Sequence, residues 1–251
     1  MEFILILIKS PHVVLPESFS VNLLLLLRWV HFIAGITWVG LLYFFNLVNI
    51  PFMKEIEAST RSRVVVSLMP RALWWFRWAS VVTVLAGIWY WMTIVSADAH
   101  NAQTSGGLAI GTFFMIWTAA FIIEMALLMG PAESLRSGPV LGTIMAIVVI
   151  AACYLYLSLN SHGWESNRLL AIGIGGGLGW FMLLNVWGIV WRMQKKIILW
   201  TSESNASGKP MPAETAKVMR LAFLATRLNF VLSFPMLFFM AVASHYPVFG
   251  Q

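Results

Sequence analysis

One of the chain's five histidines falls where an ionisable side chain is costly. His31 lies in the run Arg28-Trp29-Val30-His31-Phe32-Ile33-Ala34-Gly35-Ile36-Thr37-Trp38-Val39-Gly40, inside a longer apolar stretch. An ionisable residue in such a segment marks a functional site by default. Arg28 stands one helical turn before it on the same face, and Gly35 one turn after, which leaves space beside the imidazole. A ligand, a cation and clearance together suit a flat macrocycle bound through its iron.

What positions these residues must be a membrane bundle. The chain has 251 residues, of which 60% are hydrophobic and 10% charged, and its mean hydropathy is +0.82. Soluble domains carry about a quarter charged residues. Six stretches are long and apolar enough to cross a bilayer, near 21–47, 72–95, 107–130, 138–158, 168–193 and 221–244. The expected fold is therefore all-α, a polytopic helical bundle. Residues 1–20 form a tail, and 21–251 a single six-helix domain with a polar loop near 194–220. The opening stretch Met1 to Lys9 is too short to span and lacks the basic region and cleavage site of a signal peptide, so it reads as a retained tail on the membrane surface.

Charge sets the expected orientation. Lys54, Arg61, Arg63 and Arg71 crowd one loop, and Arg192, Lys195, Lys196, Lys217 and Arg220 flank another. The positive-inside rule then puts these loops in the cytoplasm and both termini on the outer, periplasmic side. It also accounts for the net charge of +6 without nucleic acid. Cys153 is the sole cysteine, which excludes an internal disulfide, a Cys-x-x-Cys-His heme attachment and a thiolate zinc site.

Two polar layers follow. At about 1.5 Å per residue, Arg77, Glu124, Asn185, Arg227 and Asn229 fall at similar depth, roughly 7–13 Å from the cytoplasmic ends of their spans. Glu124 is the only acid among them, and a buried carboxylate needs a partner. The layer is expected to be a structural salt-bridge cluster, with a proton-path carboxylate as the alternative. All five histidines fall in the outer half. His12, His100 and His162 lie in tail and loops, where solvation is the ordinary fate, while His31 and His245 are in or beside spans. The run Gly173-Ile174-Gly175-Gly176-Gly177-Leu178-Gly179 lies in a membrane helix rather than a nucleotide loop. It suits close helix packing, or a flat wall against a cofactor. Trp38 is deep enough to line such a site or to fill core.

Several segments resemble the membrane-embedded N-terminal domain of the bacterial membrane-bound urate oxidases. They are Arg28-Trp29-Val30-His31 through Trp38-Val39-Gly40, Trp74-Trp75-Phe76-Arg77-Trp78 with Gly87, and Asn185-Val186-Trp187-Gly188-Ile189-Val190-Trp191 with Gln194-Lys195-Lys196. The closing run joins Arg227-Leu228-Asn229 to Ser233-Phe234-Pro235-Met236-Leu237-Phe238 and Ser244-His245-Tyr246-Pro247. The first segment also has a looser similarity to small membrane heme proteins. The resemblance implies a bacterial inner membrane, with His31 and His245 as heme ligands and Arg28 near the propionates. The chain departs from the family at Trp75-Phe76-Arg77-Trp78, where a histidine often precedes the tryptophan. It also lacks a c-type heme domain before Gln251, so electrons would leave through a separate cytochrome c partner.

The leading expectation is a heme b protein passing electrons near the periplasmic face as a subunit of a respiratory or oxidase complex. The cofactor-binding residues would be His31, His245, Arg28, Gly35 and Trp38. The alternatives are a urate- or purine-oxidising enzyme and a non-catalytic structural subunit. A transporter is less expected, because the midplane lacks the polar sites and broken helices of such proteins. Copper or zinc held by the outer histidines is a further option.

Overall fold

The computed structural model describes residues 16–130, 134 and 137–249. Most of the expected N-terminal tail, His12 included, lies outside the described residues. Every regular element among the described residues is helical. The helices are α1 (Phe19–Glu55), α2 (Ala58–Ser67), α3 (Met69–Asn101), α4 (Gly107–Met129), α5 (Gly138–Ser158), α6 (Asn167–Ser207) and α7 (Thr215–Val242). All but the short α2 are long and apolar enough to cross a bilayer, so the chain is a multi-pass membrane protein with an all-α bundle. The helices alternate in direction. One end carries the connections 102–106 and 159–166 and the segment after α7. The other, basic end carries α2 and the connections 130–137 and 208–214.

The structure corrects one boundary. The loop expected near 194–220 is mostly helix: α6 runs unbroken to Ser207, and α7 begins at Thr215. Hydropathy reports where a chain leaves lipid, whereas a helix stops only when its backbone is capped or broken. No Gly or Pro intervenes from Trp191 until Gly208, which adopts the left-handed conformation at φ 71° and donates its N–H to the Ser204 carbonyl. The extension is also held by packing. Ile197 is buried against Val218 and Ala222 of α7, with Val65 of α2 completing a small satellite core.

α6 is the central helix, packed against α3, α4 and α7. Its glycines let neighbouring rings enter. A Cβ at Gly177 would overlap the Trp117 indole of α4, and one at Gly173 would overlap the Tyr156 phenol of α5. Small residues on one face thus bring helices together where lipid supplies no hydrophobic drive. The same helix carries a π-helical segment at Val186–Val190, and α1 carries another at Phe44–Asn49.

Gly177→Ala is therefore expected to destabilise the bundle by about 1–3 kcal/mol through overpacking. Gly142→Ala on α5, where a Cβ meets nothing within 4 Å, should be neutral. Thermal melts of the two variants in the same detergent test the contrast.

Candidate cofactor cavity

A cavity of about 400 Å³ lies between α1, α3, α6 and α7 toward the end away from the basic loops. Its size is in the range of small-molecule sites, about 300–1,000 Å³. All five expected cofactor residues line it: Arg28, His31, Gly35 and Trp38 from one stripe of α1, and His245 from the turn after α7. Gly176 and Gly179 of α6 form part of its wall, while Gly173 and Gly177 of the same run serve close packing. Ile36 of α1 and Leu237 of α7 line the cavity and are also exposed, so its side opening lies between those helices.

His31 is oriented by α3. Its Nδ1 lies 2.7 Å from the backbone carbonyl of Thr83. A carbonyl only accepts, so Nδ1 carries the proton and donates it, which leaves Nε2 with a free lone pair. The ring rests on Gly87, where a Cβ would come within 2.8 Å of both Cε1 and Nδ1. Only glycine fits beneath an imidazole held this way. Gly35, by contrast, has room: a Cβ there would be 3.6 Å from Thr83 Cγ2, an ordinary contact. Trp38 is buried and forms part of the lining, alongside Trp91 and Phe113.

Charge gathers at the outer rim. The guanidinium carbons of Arg28 and Arg168 lie 5.8 and 5.2 Å from the centre of the same Tyr90 ring. No acid pairs with either: the one ion pair among the described residues is His162 with Glu165. Asp98 is engaged elsewhere, accepting from Ser166 Oγ at 2.6 Å. Two guanidiniums thus approach one ring with no carboxylate paired to either.

His245 is exposed, in a turn that Asn167 ties to the start of α6. Asn167, at the start of α6, accepts the backbone N–H groups of Val248 and Phe249 through Oδ1, each at 2.9 Å. Its Nδ2 donates to the carbonyls of Ala243 at 3.4 Å and Tyr246 at 3.3 Å. Neither Asn167 nor Thr83, Tyr90 or Arg168 was picked out from the sequence as part of a site. Arg168 heads its span as Arg28 precedes His31, which was the one available signal.

The remaining histidines stay out of the cavity. His100 is exposed at the end of α3, and His162 pairs with Glu165 at 2.8 Å. Among the described residues no three His, Cys, Asp or Glu side chains converge, so a copper or zinc site finds no such ligand set there.

The expected salt-bridge cluster is not formed. Glu124 is fully buried with no partner for either carboxyl oxygen. Arg77 lies over Trp191 at 4.0 Å and over Trp187 at 5.6 Å, and Arg227 over Phe223 at 5.4 Å. The amides do pair: Asn185 Nδ2 donates to Asn229 Oδ1 at 2.8 Å and to the Ala225 carbonyl at 3.0 Å, joining α6 to α7. Equal depth placed these groups at one level, but their helices turn them to different neighbours.

Comparison with protein-family models, with curated proteins and with solved structures finds no match for the chain. What is established is therefore the class, a multi-pass helical membrane protein with a lateral cavity lined by two histidines and Arg28.

The His31 geometry has its own test. In ¹⁵N-histidine spectra of the detergent-solubilised protein, the His31 signals are expected to show a protonated Nδ1 and a bare Nε2. Gly87→Ala should abolish that signature, whereas Gly35→Ala should retain it.

Proposed function

We propose that this chain is an integral membrane heme b protein, passing electrons near the membrane face opposite the basic loops. The distribution of Lys and Arg supports a periplasmic assignment for that face in a bacterial inner membrane. A larger respiratory or oxidase complex and a separate c-type cytochrome would be its setting. The observation that carries the reading is His31: a hydrogen bond to Thr83 frees Nε2 beside a cavity of cofactor size.

The residues present fit the group. His31 Nε2 would hold the iron, and the Thr83 carbonyl, by accepting from Nδ1, would make the imidazole a stronger donor. His245, held by the Asn167 strap, would be the second ligand. Arg28 and Arg168 would hold the propionates, and Tyr90 beneath both guanidiniums keeps them together. Trp38, Trp91 and Phe113 exclude water from the inner wall. When bound, the heme supplies one-electron redox chemistry, its potential tuned by axial ligation and burial. A purine substrate would find few hydrogen-bond partners on so apolar a wall, which favours electron transfer over urate oxidation.

A reduced-minus-oxidised absorption spectrum of the purified protein tests the reading. A b-type spectrum is expected in the wild type and its loss in His31→Ala. Its loss in His245→Ala as well would mark two histidine ligands. Arg168→Gln should keep the spectrum and lower the midpoint potential, because removing a positive charge favours the oxidised iron. A wild-type protein purified without a chromophore, and binding none when hemin is added, would overturn it.

A further inference from the structure

We propose that Glu124 is a proton-binding site: a carboxyl kept as the neutral acid inside the bundle, and reached from the basic end through a hydrated polar seam between two π-helical segments. The proposal concerns the opposite end from the cavity and is independent of what that cavity binds.

Glu124 belongs to the stripe Phe113, Trp117, Phe121, Glu124 and Leu128, which α4 buries in the bundle. Trp117 meets α6 at Gly177, while Phe121 meets it at Phe181 and at Gly188, inside the π segment. α4 and α6 run in the same direction. Glu124, about 4.5 Å further along α4 than Phe121, is therefore level with that segment. Its exposure is 0%, and neither carboxyl oxygen has a protein partner. An ionised carboxylate without a counter-ion is far costlier there than a protonated one. The charged groups at its level are Arg77 and Arg227, and both lie over aromatic rings.

The second observation is the company it keeps. Tyr43 of α1 touches Phe230 of α7, Phe45 touches Phe76 of α3, and Asn185 bonds Asn229, which sets five helices at one level together with α4. At that level the protein offers no partner to the Oδ1 atoms of Asn46, Asn49 and Asn185, to Arg77 Nε or to Trp187 Nε1. These atoms belong to the two π segments or to residues packed beside them. Buried polar atoms of this kind are met by internal water, each molecule taking up about three hydrogen bonds. π segments also recur at functional sites. Hydrated in this way, the seam gives a proton a route from the basic end to Glu124, where the carboxylate oxygen takes it and forms the O–H bond of the acid.

Infrared spectroscopy of the full chain in lipid at neutral pH tests this directly. The wild type minus Glu124→Gln difference is expected to contain the C=O stretch of a protonated carboxylic acid. Transfer to D2O should shift that band within the equilibration time. Glu124→Gln itself should melt within about 4 °C of the wild type, because a neutral amide replaces a neutral acid. If that variant fails to fold, carboxyl-¹³C glutamate in the wild type assigns the band by its isotope shift. A carboxylate band in place of the acid band would overturn the protonated state, and an acid band unmoved by D2O would overturn the hydrated seam.

Discussion

The bundle depends on how closely other helices approach α6. Lipid is as apolar as the side chains, so packing and internal hydrogen bonds, rather than the exclusion of water, hold such helices together. α6 meets that requirement by omitting side chains. Gly173 and Gly177 admit the rings of Tyr156 and Trp117, and Gly188 admits Phe121. Where the neighbouring chain does not fill the space left by glycine, at Gly176 and Gly179, the same helix borders the cavity. Close packing and an open site are therefore two consequences of one glycine-rich segment.

The cavity in turn imposes order on groups that are distant in sequence. His31 is fixed by a carbonyl and a glycine of α3, both reached only because α1 and α3 pack along their length. His245 is carried by a turn that Asn167 ties to the start of α6. Arg28 and Arg168 share the Tyr90 ring, and each adds to the other's need for an anion. Ligand-type nitrogen, apolar wall and cationic rim are thus supplied by five helices, none of which holds more than part of the site.

The basic end solves a different problem. Arg77 and Arg227 are turned to aromatic faces, the amides Asn185 and Asn229 join α6 to α7, and Glu124 has no protein partner. The two π-helical segments stand at this level; the first buries Asn46 and Asn49, and the buried Asn185 immediately precedes the second. Polar side chains in a bilayer protein are costly enough that such a concentration separates the two halves of the bundle into different environments.

The sequence determined the six spans and the all-α class, because transfer free energy is a local property summed along the chain. Depth along each span followed from the same count of residues. Two things lay beyond it. Hydropathy marks where the chain leaves lipid, so the helical extension to Ser207 was mistaken for loop, although Gly208 marked its end. Depth supplies one coordinate and leaves rotation about each helix open. Tertiary packing therefore decided that Glu124 meets no arginine, that Arg168 joins Arg28 at Tyr90, and that Thr83 and Gly87 form the seat of His31.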